Sequence, residues 1–126
     1  MKVYYAHAIC TYGSMQEKQG IRHIKRNFPN CKIVDPGSFA NVVDKANGGM
    51  EFCKKLVSSC DALVFSRLMN KITSGVGVEI NHALSEKLDV FELKKGELVP
   101  VKKSVKFISR EETVDLYWEW RLWTRS

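Results

Sequence analysis

The residues best suited to chemistry lie in Thr73-Ser74-Gly75-Val76-Gly77-Val78-Glu79. Two glycines here open a helix directly after a strand and its loop. Such a helix start presents N–H groups with no intrahelical acceptor and the positive end of the helix dipole, which suits an anion such as phosphate. Gly75 and Gly77 permit close backbone approach, and the hydroxyls of Thr73 and Ser74 add donors. The plain alternative is a tight turn leading into a capped helix. Glu79 stands one turn into that helix, beside its apolar stripe. An acid there is also simple dipole chemistry. Held at a crevice, though, a carboxylate can attack an anomeric carbon, form a covalent glycosyl intermediate and stabilise an oxocarbenium-like transition state. Other polar candidates are weaker. Asp61 opens a buried strand, where capping is the commoner role. Ser14 is first a helix cap. His82, one turn past Glu79, fits an exposed helical histidine.

The elements that must position these groups follow from periodicity. Residues 3–6, 32–34, 61–65 and 90–93 read as short strands. Ser14 with Glu17 forms a capping box for a helix carrying Ile21, Ile24 and Phe28, which Pro29 ends. Asp35-Pro36-Gly37 turns the chain into a long loop reaching Gly48-Gly49. Met50 opens a second helix with Cys53, Leu56, Val57 and Cys60 on one face, and the helix near Gly75 buries Val76, Ile80, Ala83 and Leu84. After a turn at Lys94-Lys95-Gly96, residues 98–101 and 104–108 are strand candidates. A second capping box, Ser109 with Glu112, opens a last helix holding Tyr117, Trp118, Trp120 and Trp123. Alternation of strands and helices predicts one α/β domain over residues 1–126, a flavodoxin-like three-layer sandwich. Its parallel sheet has order 2-1-3-4-5 with helices on both faces. The loops leaving the first and third strands then diverge and leave a crevice at the carboxyl ends, where residues 4–14 and 66–79 meet.

Bulk properties narrow the function classes. A chain of 126 residues with 44% hydrophobic content buries a core without staples. No apolar run is long enough to span a bilayer, and the N-terminus enters a strand directly, so the expected location is the cytoplasm. Cys10, Cys31, Cys53 and Cys60 form no Cys-x-x-Cys pair and read as free thiols rather than zinc ligands. The net charge of +6 includes a local excess over 94–110 without interleaved aromatics, which favours a solvated face over a nucleic-acid surface. It also suits a phosphorylated small molecule.

Val3-Tyr4-Tyr5, Asp61-Ala62-Leu63-Val64 and Gly75-Val76-Gly77-Val78-Glu79-Ile80-Asn81-His82-Ala83-Leu84 together resemble the nucleoside 2-deoxyribosyltransferase superfamily. That superfamily includes deoxynucleoside 5′-monophosphate N-glycosidases. The likeness covers roughly residues 2–93 and is strongest over 60–84. It implies the doubly wound fold and cleavage of an N-glycosidic bond with transfer to another base or to water, without metal or cofactor. By the same resemblance Glu79 is the nucleophile and Tyr4 orients it. Thr73, with Ser74, Gly75 and Gly77, holds the 5′-phosphate. The sequence departs from the family pattern at two places. Cys53 stands where the family has an aspartate eight residues before Asp61, and Glu51 lies about 200° around the helix from it. Ala6-His7 replaces a glycine after the tyrosine pair; His7, of the residue type suited to proton transfer near neutrality, is then a candidate donor and substrate contact.

Two other readings compete. Cys53 in the aspartate position suits a non-catalytic nucleotide-binding module. A TIR-like NAD glycohydrolase uses a related sheet and a catalytic glutamate. The four C-terminal aromatics cannot share one helix face, so some are left for a partner, and the expectation is a homodimer or larger assembly.

Overall fold

The computed structural model describes residues 1–36 and 49–125. The loop expected to reach Gly48-Gly49 falls mostly outside the described residues. Strand β1 (Lys2–Ala6) is followed by a single 3-10 turn at Ile9–Thr11 and helix α1 (Met15–Asn27). Then come β2 (Lys32–Val34), α2 (Gly49–Ser58), β3 (Ala62–Phe65) and α3 (Ser74–Ser85). The chain ends with β4 (Asp89–Lys94), β5 (Glu97–Val101) and α4 (Arg110–Arg125). The five strands form one sheet in the order β2-β1-β3-β4-β5, compatible with the flavodoxin-like arrangement.

β1 runs parallel to both β2 and β3, with Tyr4 opposite Leu63 and Ala6 opposite Phe65. β4 adds in parallel to β3, and β5 returns antiparallel. The return is a tight hairpin: Lys95 and Gly96 both take positive φ, 52° and 80°, the geometry that matches the twist of the flanking strands. Asp61 closes the other end of the sheet, where its carboxylate accepts the Lys2 N–H at 2.7 Å.

Side-chain alternation along β1 and β3 divides the core. Tyr4, Ala6, Leu63 and Phe65 pack with Val57 of α2 and with Val76, Ile80 and Ala83 of α3. Val3, Tyr5, Ala62 and Val64 pack with Ile24 of α1. Tyr5 lies against α1 because residue 20 is glycine; any Cβ there would collide with the phenol ring. The expected caps form, with one difference. Ser14 accepts the Glu17 N–H, yet Glu17 reaches back to Gly13 rather than to Ser14. The box at Ser109 and Glu112 is reciprocal.

The strand expected over 104–108 does not form. That stretch is an extended strap across α3, whose Asn81 side chain accepts the Val105 N–H at 2.9 Å and donates to the Val105 carbonyl at 3.2 Å. A side-chain amide thus replaces a neighbouring strand. The strap delivers α4 to the carboxyl end of the sheet, where Leu116, Tyr117 and Trp120 pack with Ala8, Leu68 and Ile108. Trp118, Leu122 and Trp123 are exposed. No helix among the described residues is long and apolar enough to cross a membrane.

Candidate functional site

Glu79 stands on α3 on the Tyr4 side of β1, while the loops leaving β1 and β3 bring Ala8 and Leu68 together under Leu116 of α4. Glu79 is buried, at 5% exposure, because α3 turns the face bearing Val76, Glu79, Ile80 and Ala83 onto the sheet. The Tyr4 hydroxyl donates a hydrogen bond to Glu79 Oε2. The Cys53 thiol, on α2, is within electrostatic reach of both Glu79 and Tyr4. The residue that departs from the family pattern therefore lies near the expected nucleophile.

Burial dominates the electrostatics here. It pushes the Glu79 carboxyl up to about 8, against the opposing pull of Tyr4 and Cys53. The Cys53 thiol is pushed up to about 11 by burial and by the Glu79 charge. Tyr4 is raised far above the usual phenol range by burial first and Glu79 second. Burial and then the Glu79 charge raise Tyr12, from the loop after β1; burial, then Cys10 and last Glu79 raise Tyr117, from α4, so both stand within electrostatic reach of the carboxylate.

The start of α3 is assembled in an unequal way. Thr73 is 2% exposed, caps nothing, and its Oγ1 has no hydrogen-bond partner. The Tyr117 hydroxyl lies nearby, outside hydrogen-bonding geometry. The Ser74 N–H is occupied by Thr113 Oγ1 of α4 at 2.9 Å. Gly75 faces open space, whereas the Phe107 ring of the strap lies across Gly77, so this glycine accommodates a side chain of the chain itself.

His7 stands apart from these groups. Strand alternation carries it to the side of Tyr5, not of Tyr4, and its ring stacks on Tyr5 at 4.1 Å between centroids. Nδ1 bonds the Tyr5 carbonyl at 3.0 Å and Nε2 bonds Glu17 at 2.6 Å. Both nitrogens are engaged on the α1 side, which leaves neither for the role of donor beside Glu79. His82 likewise bonds Ser58 at 2.8 Å, away from the carboxylate. The structure thus unites Tyr4, Glu79 and Cys53, brings Thr73, Ser74 and Gly75 to the start of the same helix, and separates His7. Sequence reasoning missed Tyr12, Tyr117 and Thr113. Tyr12 lies inside the loop expected to line the crevice and could have been singled out; the two α4 residues depend on a long-range docking that no local pattern encodes.

No protein family, curated protein or solved structure matches this chain. The resemblance to nucleoside deoxyribosyltransferases therefore rests on the motif residues alone. Two surface clefts, of about 330 Å³ and about 170 Å³, lie elsewhere: one borders Gln19, His23 and Lys95, the other Glu112 and Glu119.

Proposed function

We propose that this chain cleaves the N-glycosidic bond of a nucleoside or deoxynucleoside, or of its 5′-monophosphate, on a flavodoxin-like three-layer frame. The observation that carries the reading is the buried Glu79 carboxylate of α3, gripped by Tyr4 of β1. With Oε2 held by Tyr4, Oε1 is the oxygen that bonds to C1′ as the C1′–N bond breaks. The base departs with the bonding electrons and takes a proton from solvent. Water, or a second base, then displaces Glu79 from C1′ and regenerates the carboxylate. The unpartnered Thr73 hydroxyl, the open space beside the Gly75 Cα and the dipole of α3 support the 5′-phosphate as the anchoring group. Tyr12 and Tyr117, within electrostatic reach of the carboxylate, are the candidate walls for the base or sugar. No metal or cofactor enters this chemistry.

The experiment is base release from a panel of nucleosides, deoxynucleosides, their monophosphates and NAD, followed by chromatography for the native chain and Glu79→Gln. Equal turnover by the two proteins removes Glu79 from the mechanism. Nicotinamide release from NAD alone shifts the reading to an NAD glycohydrolase. One observation favours a binding module instead: Cys53, pushed up to about 11, is a poor proton relay where the resemblance has an aspartate. Nucleotide binding without turnover establishes that alternative. The exposed Trp118, Leu122 and Trp123 on α4 support assembly into a dimer or larger oligomer, which a monomeric mass by light scattering rejects. The cytoplasm remains the proposed location.

A further inference from the structure

On the α1 side of β1, three metal-ligating side chains from three separate elements converge. His7 follows β1, Glu17 stands in the first turn of α1, and Asp35 follows β2. One donor atom from each lies within 4.8 Å of the others. No spacing motif announces this set, because the residues meet only when β2 and α1 have packed beside β1. We propose that His7, Glu17 and Asp35 bind a divalent first-row transition-metal ion, distinct from the Glu79 site and not required by the glycosidase reading.

The orientation of the imidazole is the observation that points to an ion. A carbonyl can only accept, so His7 Nδ1, 3.0 Å from the Tyr5 carbonyl, carries a hydrogen. Nε2 is then the nitrogen that faces Glu17 Oε2, 2.6 Å away, and Asp35 Oδ1, 3.6 Å away. Three electron-pair donors facing one another need a proton or a cation between them. Glu17 is fixed in its turn, since its other oxygen accepts the Gly13 N–H at 3.0 Å. Histidine and carboxylate ligands each oriented by an outer hydrogen bond is the arrangement that protein metal sites use. An ion about 2.1 Å from each donor sets its ligands roughly 3 Å apart, so small side-chain shifts suffice. On binding, the ion takes the place of the proton between Nε2 and Glu17, which leaves to solvent.

The chemistry of the set narrows the ion. One imidazole with two carboxylates suits Mn²⁺, Fe²⁺, Co²⁺ or Zn²⁺ over Mg²⁺ or Ca²⁺. The side chains of Glu17 and Asp35 are 11% and 13% exposed against 2% for His7, so the ion is buried on its histidine side and reachable through its carboxylates. It would tie the end of β2 and the start of α1 to β1.

The test uses the full chain, stripped with chelator and then loaded with Zn²⁺, Co²⁺ or Mn²⁺, with Mg²⁺ as the comparison. The expected result is about one Zn²⁺ per chain after gel filtration, a metal-dependent rise in melting temperature, and binding at least ten-fold weaker in Asp35→Asn. Mn²⁺ binding read by electron paramagnetic resonance avoids capture by the cysteines. In the native chain, Zn²⁺ should also shift the ring nitrogen resonances of His7 while leaving those of His23 and His82 unmoved, a readout that needs no variant to fold. Substoichiometric binding, equal affinity in Asp35→Asn, or an unmoved His7 ring overturns the site. Failure of the glycosidase reading leaves each of these measurements unaffected.

Discussion

Two buried glutamates lie on opposite faces of β1 and are treated in opposite ways. Glu79 accepts from a phenol, a neutral donor, with a thiol close by, inside an apolar wall. Glu17 meets an imidazole and a backbone amide. The first environment leaves the cost of burying a charge largely uncompensated; the second offers it a partner. Buried carboxylates left without a cation are where a fold keeps a reactive group, and paired ones are where it keeps a joint. Among the described residues no ion pair involves Glu79.

The comparison is broken most directly by removing each acid in turn. Glu79→Gln should lower turnover by about 10³-fold or more, as expected for loss of a covalent nucleophile, with little change in melting. Glu17→Gln should do the reverse. Activity should stay within a few-fold, while stability to denaturant falls by about 3 kcal/mol because His7 loses its partner in a buried site. Loss of activity in Glu17→Gln without loss of stability would erase the distinction between the two faces.

Acidity sharpens it next. Burial raises Glu79 from an ordinary value of 4.5 to about 8, so folding favours its protonated form. The stability this contributes is complete below about pH 4.5 and is lost as pH rises through about 8, on the order of 4 kcal/mol in all. Glu79→Gln should flatten that slope in denaturant titrations at pH 5 and pH 9. Turnover should run the other way, since the nucleophile must be ionised, with kcat/KM rising towards a plateau above about pH 8. Tyr4→Phe removes the leading donor that favours the charged form and should move this limb to higher pH.

Thr73→Val asks whether the anion belongs to the Glu79 face. The hydroxyl is buried and unpartnered, so its removal should stabilise the free chain by about 1 kcal/mol. If it donates to a bound phosphate, the same change should cut the preference for a monophosphate over its nucleoside by roughly ten-fold in kcat/KM. A variant that loses stability and keeps that preference would assign Thr73 to packing alone.

What the sequence made legible tracks what is local. The strands, the caps at Ser14 and Ser109, and the order of the sheet follow from residues close in the chain or from the handedness of crossovers. Topology alone brings the first strand beside the third, and the resemblance singled out Tyr4 and Glu79 as the pair within that meeting. His7 was misplaced for a reason the sequence also holds: it differs from Tyr4 by an odd number of residues, and a strand's period of two continues its direction past Ala6. The strap over 104–108 looked like a strand because its composition is that of one, while its partner is the Asn81 side chain. Gly77 looked like a place for a ligand, and Phe107, from the distant strap, lies on it. Neither contact leaves a periodic trace.

The smallest effect concerns Thr113, which links the C-terminal helix to the Glu79 face. Its Oγ1 accepts the Ser74 N–H while its hydroxyl hydrogen goes to the Ser109 carbonyl at 2.8 Å. Thr113→Val keeps the shape and removes both bonds, so the free chain should lose about 1 kcal/mol in denaturant unfolding. The Ser74 N–H is also one of the donors an anion at the start of α3 would use, so Thr113 competes with that anion. Phosphate protection against unfolding should therefore be retained or strengthened in Thr113→Val, even as the unliganded protein weakens. If protection disappears along with stability, Thr113 supports the anion site instead of capping it, and the start of α3 is completed by α4 rather than held closed by it.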